Sequence, residues 1–166
     1  MPEQTIVLDP YQWAQASEVG AKRDASSKAK GQFGRNGQSA DRSLQDHING
    51  AAAELAVCIA LDLHWEAHID TYLSKPDVDV PWIGGVEVKW TSSTGLIIRA
   101  NDQVGQPHIL VTGAGPIKRI VGWLDTDGLR SLKAGPQHDF GNGRPGAWLV
   151  RQDQLSDWDT VPRISS

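Results

Sequence analysis

Cysteine is almost absent. Of 166 residues only Cys58 carries a thiol, so no internal disulfide can form and a multi-cysteine zinc site is excluded. Long apolar runs are missing too. The longest, Ala51 to Leu61, is interrupted by Glu54, and nothing approaches the roughly 20 apolar residues that cross a bilayer. The opening Met1-Pro2-Glu3-Gln4 has neither a basic nor an apolar stretch, so no secretory signal is expected and a cytoplasmic location is. Nor is there an excess of positive charge. Lys+Arg number 16 against 20 Asp+Glu, a formal net charge of −4, which argues against an obligate nucleic-acid coat. What remains is ordinary: 39% hydrophobic and 22% charged residues describe a folded protein of one domain's length, spanning 1–166.

The modest net charge hides a segregation. Between Lys22 and Arg42 there are six basic residues (Lys22, Arg23, Lys28, Lys30, Arg35, Arg42) and two acids. Between Ser43 and Val86 there are seven acids and only Lys75. A basic arm beside an acidic centre suits a protein that grips an anion while holding divalent cations nearby. The plainer alternative is a solvated loop next to an acidic surface.

Periodicity supplies the organisation. Asp9 and Pro10 open a helix reaching to about Asp24. Ala25 to Ala40, polar and carrying Gly31, Gly34 and Gly37, reads as a flexible basic loop. Asp41 or Ser43 caps a second helix to about Leu61, with Leu44, Ile48, Ala51, Ala52, Leu55 and Ile59 forming its apolar stripe. Beyond Leu63 the period shortens. Short strands are expected at Trp65 to Asp70, Val78 to Pro81, Val86 to Trp90, Leu96 to Arg99, His108 to Thr112 and Ile117 to Leu124. Ala147 to Val150 reads as extended, and Asp153 to Trp158 as a turn or short helix. Two helices followed by a mixed sheet make an α/β (α+β) domain. Seven tryptophans are many for this length. Trp82, between Pro81 and a glycine turn, is expected to be exposed, either to stack on a base or as a lid over the core.

The chemistry concentrates between Lys75 and Trp90. Strand alternation turns Val86, Val88 and Trp90 one way and Glu87 and Lys89 the other. Asp77 and Asp79 likewise share a face opposite Val78 and Val80. A turn at Ile83-Gly84-Gly85 folds the halves into a hairpin, and a register that keeps valines facing valines brings two aspartates, a glutamate and a lysine together. Clustered carboxylates repel unless a cation neutralises them. Their hard oxygens suit Mg²⁺, with Mn²⁺ as substitute, and a lysine beside such an ion can orient water and stabilise charge on phosphate oxygens. The combination describes phosphodiester hydrolysis.

Pro76-Asp77 followed, after nine intervening residues, by Glu87-Val88-Lys89 resembles the signature of the PD-(D/E)XK nucleases. Gly50-Ala51-Ala52-Ala53-Glu54 resembles the helix glutamate that many members carry, and the likeness spans roughly His47 to Thr112. It implies a restriction-endonuclease-like core, a central mixed β-sheet flanked by helices. It also implies that Asp77, Glu87 and the Val88 carbonyl bind the metal, that Lys89 acts on water or the transition-state phosphate, and that Glu54 supports the metal or water. Asp79 competes with Asp77 for its role. No glutamine-and-tyrosine helix motif of the RecB-like exonucleases follows the strands, so an endonuclease is implied, and the small size adds a phage or mobile-element setting. Cutting both strands commonly calls for a homodimer in this family.

DNA is the expected partner. Lys22, Arg23, Lys28, Lys30, Arg35 and Arg42, with Arg99, Lys118 and Arg119 downstream, could track phosphates without reading bases. Edge-strand protection is the alternative for the downstream group. Two other readings stay open. One is a non-catalytic DNA-binding or assembly protein retaining the fold; the other is a metal-dependent hydrolase of another phosphate ester. His64 and His68 have helical metal-ligand spacing but lie in a segment that reads as strand, without a third ligand. Cys58 reads as core.

Overall fold

Asp9 decides where the first helix begins. Its Oδ1 accepts from the Gln12 amide at 2.8 Å, and Gln12 Oε1 accepts from the Asp9 amide at 2.9 Å, a reciprocal cap that satisfies two otherwise orphaned donors. Pro10 follows, where no amide donor is needed. The computed structural model describes residues 3–29, 40–67, 86–102, 104–141 and 143–161. The expected strand at Val78 to Pro81, Trp82, the Ile83 turn and much of the 25–40 loop lie outside these residues.

A strand β1 (Gln4–Val7) precedes helix α1 (Pro10–Ala29), which continues five residues past its expected end. Tertiary contact extends it. Asp24 is buried against the second helix, α2 (Ala40–Leu61), and accepts from Ser43 Oγ at 2.8 Å, His47 Nδ1 at 3.1 Å and Lys28 Nζ at 2.6 Å. The expected loop therefore begins later than Ala25, and Ser43 sits inside α2 rather than capping it. The helices approach closely because Gly20 faces Ile48. A Cβ at Gly20 would stand 2.6 Å from Ile48 N and 2.8 Å from His47 O.

Among the described residues five further strands and a helix follow: β2 (Glu87–Trp90), β3 (Gly95–Ile98), β4 (His108–Thr112), β5 (Ile117–Leu124), α3 (Thr126–Lys133) and β6 (Trp148–Arg151). A two-residue strand, β7 (Ser156–Asp157), lies between two short 3-10 turns. The principal sheet runs β1-β5-β4-β2, with β7 added on β5. β2 and β4 are parallel and the other pairs antiparallel, so the fold is mixed α/β with a mixed sheet. β3 and β6 form a separate antiparallel pair. The expected bounds of β4 and β5 match, and those of β2, β3 and β6 differ by a residue or so. Residues 65–67 are not strand. β1, β7 and α3 were not foreseen.

Two cores lie on opposite faces of the sheet. On one, Ala53, Val57, Cys58 and Leu61 of α2 pack on Val86, Val88, Ile109, Val111, Ile120 and Trp123. On the other, Leu110 and Val121 meet Leu96, Ile98, Leu129, Trp148, Val150 and Leu155. A third cluster joins α1 to α2 through Ala16, Ala52 and Leu55. Lying between α1 and the sheet, α2 is buried on every side from Ala51 to Cys58, while Ile59, expected in its stripe, is exposed. Among the described residues no helix is long and apolar enough to cross a membrane.

The contact at Gly20 yields a stability prediction. Alanine has the better helix propensity by about 1 kcal/mol, but its methyl would press on backbone that cannot rotate away. Gly20→Ala should cost about 1–3 kcal/mol net, read as a lower melting temperature by circular dichroism. An equal or higher melting temperature would refute the close approach.

Candidate active site

Alternation along β2 separates its side chains as expected. Val88 faces the helices and is buried, whereas Glu87 and Lys89 take the opposite face. They are not solvated. Their side chains are only 17% and 24% exposed, and Lys89 Nζ lies 3.6 Å from Glu87 Oε1, so a Glu and Lys merely pointing to water does not describe this strand.

The loop after β3 supplies a group absent from the sequence motif. Lys89 Nζ donates to Asp102 Oδ1 at 2.9 Å, and the Arg99 amide donates to Asp102 Oδ2 at 2.7 Å. Burial opposes ionisation of Asp102, but Lys89 and the Arg99 amide outweigh it and hold the carboxyl below its usual range. Lys133 of α3 secures the same loop by donating to the Ala100 and Asp102 carbonyls.

His108 lies beside Glu87 in the parallel ladder and is buried. Its Nδ1 faces the Gln106 carbonyl at 2.9 Å, an acceptor only, so Nδ1 carries the hydrogen and Nε2 the lone pair. That Nε2 is buried and has no hydrogen-bond partner among the described residues. Desolvation pushes the His108 pKa down to about 4, and Lys89 and Lys133 add to the effect. The imidazole is neutral at pH 7. Neither role is signalled by pattern: Asp102 belongs to no periodic element, and His108 begins a buried strand like any interior residue.

Glu54 has a different setting. It is buried in α2 and gripped by Arg23 of α1, with Nη1 to Oε2 at 2.6 Å and Nη2 to Oε1 at 3.0 Å. Trp65 Nε1 adds a 3.5 Å contact. Two-point pairing of this kind compensates a buried carboxylate. Arg23, expected to meet DNA, is thereby committed inside the protein. Asp77 and Asp79 lie outside the described residues. Among the described residues no group of three His, Cys, Asp or Glu side chains is arranged to hold a metal.

Lys118 also departs from expectation. Read as a phosphate contact, it is fully buried. Strand alternation puts it on the face of Ile120, towards the helices. Its Nζ donates to Asn49 Oδ1 at 2.6 Å and to the Gly113 carbonyl at 2.7 Å, and it lies 5.9 and 5.6 Å from the ring centres of Trp13 and Trp90. No carboxylate among the described residues pairs with it, and desolvation pushes its pKa down to about 8. Of the other expected DNA contacts, Lys22 and Arg42 are exposed, and Lys22 pairs with Glu18 at 3.0 Å. Lys28 pairs with Asp24, exposed Arg119 pairs with Glu3 at 2.9 Å, and Lys30 and Arg35 lie outside the described residues. His64 is exposed and His68 lies outside. Comparison with protein-family models, curated proteins and solved structures finds no significant match to this chain.

Two predictions follow from these buried charges. Arg23→Ala leaves Glu54 without its guanidinium and should lower stability by about 3–5 kcal/mol, whereas Arg23→Met with Glu54→Met should recover most of it; urea unfolding of the single and double variants measures both. The folded Lys118 pKa of about 8 lies below its usual 10.5, so between these values the unfolded chain binds more protons and stability rises with pH. The difference in unfolding free energy between wild type and Lys118→Met should move in the wild type's favour across that window and stay level between pH 6 and 7.5. A pH-independent difference would contradict the burial of a protonated amine.

Proposed function

We propose that this chain is a metal-dependent DNA nuclease, an endonuclease of restriction-endonuclease-like fold that hydrolyses phosphodiester bonds. The observation that carries the reading is the pair Glu87 and Lys89, held on one face of β2 and mostly withdrawn from water, with ammonium and carboxylate 3.6 Å apart. A strand that spends two inward positions on ionised side chains pays desolvation, which a role in handling charge accounts for.

Glu87 offers hard oxygens of the kind Mg²⁺ or Mn²⁺ prefers, and by the resemblance Asp77, or Asp79 in its place, and the Val88 carbonyl would complete the donor set. When bound, the ion would supply positive charge at the phosphate and lower the pKa of a coordinated water. The chain's own residues do the rest. Lys89 directs its ammonium to the negative charge that grows on the phosphate oxygens. Neutral His108 adds no second positive charge that would push Lys89 away. Lys22 and Arg42 are exposed, and lysine and arginine contacts to a DNA backbone give salt-dependent affinity.

A second reading is a DNA-binding or assembly protein with this fold and no activity. It is favoured by one observation: Arg23 already neutralises Glu54, so the helix carboxylate is engaged without a metal.

Incubating supercoiled plasmid with the purified chain and Mg²⁺ or Mn²⁺ separates the two. The wild type should nick, chelation by EDTA should stop it, and Glu87→Ala and Lys89→Ala should each lower the rate on the order of 10²-fold or more. Equal nicking by all three proteins would mark a contaminant and remove the nuclease reading. DNA affinity retained without cleavage would select the second.

A further inference from the structure

Lysine has a long, flexible side chain and acts as a point charge, so its position in a site has to be imposed by neighbours. Across the ladder from Lys89 stands Leu110, which offers no hydrogen bond. Glu87 lies at 3.6 Å, and in the proposed reaction it is occupied with a cation. Among the described residues the shorter of the two ion pairs of Lys89, 2.9 Å, is to Asp102.

We infer that Asp102 is a positioning residue for Lys89, holding its ammonium beside Glu87 so that Glu87 is left to its own ligand. The inference deepens the proposed nuclease reading and takes its functional meaning from it. Asp102 is suited to the task because each of its acceptors is engaged. One carboxylate oxygen receives Lys89, the other receives the Arg99 amide, and its carbonyl receives Lys133 from α3. The anchor is thus tied to the second core, through the helix that carries Leu129, and does not depend on β2. Among the described residues, the charged and titratable groups around Lys89 include Glu87 on its own strand, Asp102 from the loop, His108 on β4 and Lys133 on α3.

The test compares wild type with Asp102→Ala and Asp102→Glu by two readouts. In plasmid nicking, Asp102→Ala should lower kcat by up to about 10²-fold, as expected for a misplaced reacting group. Its KM for DNA should stay within about twofold, because no binding contact is lost. Asp102→Glu should restore part of kcat. The second readout needs no activity: a ¹H–¹⁵N spectrum of lysine ammonium groups, in which the Lys89 signal is identified by its loss in Lys89→Arg. That signal should vanish or move in Asp102→Ala and persist in Asp102→Glu. Asp102→Asn, which keeps the shape and removes the charge, gives the same readouts should the alanine variant not fold. An unmoved Lys89 signal, the absence of any signal that Lys89→Arg removes, or an unchanged kcat overturns the inference. A wild type that does not nick overturns the nuclease reading instead, and the ammonium spectrum then decides the role of Asp102 alone.

Discussion

A single buried ammonium ties the architecture together. Lys118 reaches from β5 between Trp13 of α1 and Trp90 of β2, and bonds Asn49 of α2 and the carbonyl of Gly113. Four elements and a turn meet at one charge that no described carboxylate neutralises. Such a group is tolerated only where dipoles and ring faces replace its hydration. The turn contributes through its backbone. Gly113 has φ +102, a conformation that suits glycine, and its carbonyl accepts from both Lys118 and the Trp90 indole, the latter at 2.8 Å. With Trp90 fixed on the helix side, alternation leaves Glu87 and Lys89 on the opposite face. The candidate site is therefore oriented from behind, by a cation that cannot touch a substrate.

The sheet divides the buried charges into two sets with different balances. On the helix side, Arg23 and Glu54 form a closed pair, and Asp24 is served by Ser43, His47 and Lys28. Burial raises the Asp24 pKa, but these partners outweigh it and the carboxyl stays below its usual value. On the other side Glu87, Lys89 and Asp102 are also mostly withdrawn from water, and His108 responds to burial by remaining neutral. On the helix side each buried carboxylate is matched by a cation, while beside Glu87 and Lys89 the His108 Nε2 is an acceptor with no hydrogen-bond partner among the described residues, which leaves chemistry available.

Much of this was legible where a period could be read. The alternation Val86 to Trp90, the apolar runs of β4 and β5 and the start of α1 at Asp9 all stand in the sequence because side-chain direction follows from backbone repeat. Lys118 was legible in principle, since a residue two before buried Ile120 shares its face, yet its charge suggested the surface. Arg23 and Glu54 lie 31 residues apart, and local charge counting cannot pair them. α3 escaped notice because only Leu129 of its eight residues is buried; its start rests on Asp125 accepting from the Gly128 amide at 2.6 Å. Asp102 sits in a loop, where no period exists to assign it a direction.

β5 serves both cores at once, and a local irregularity makes this possible. Opposite Leu110 and Val111 its register skips one residue: Leu110 pairs with Gly122 and Val111 with Ile120. Val121 is the extra residue, and a bulge of this kind resets which way the following side chains point. Before it, Lys118 and Ile120 face the helices. Afterwards Trp123 faces them too, whereas strict alternation from Ile120 would have turned it away. Val121 and Leu124 fall to the second core. The same strand thus places the ammonium that orients β2 and the apolar surface beneath α3, whose Lys133 secures the Asp102 loop. One extra residue in β5 couples the interior cation on one face to the Lys89 partner on the other.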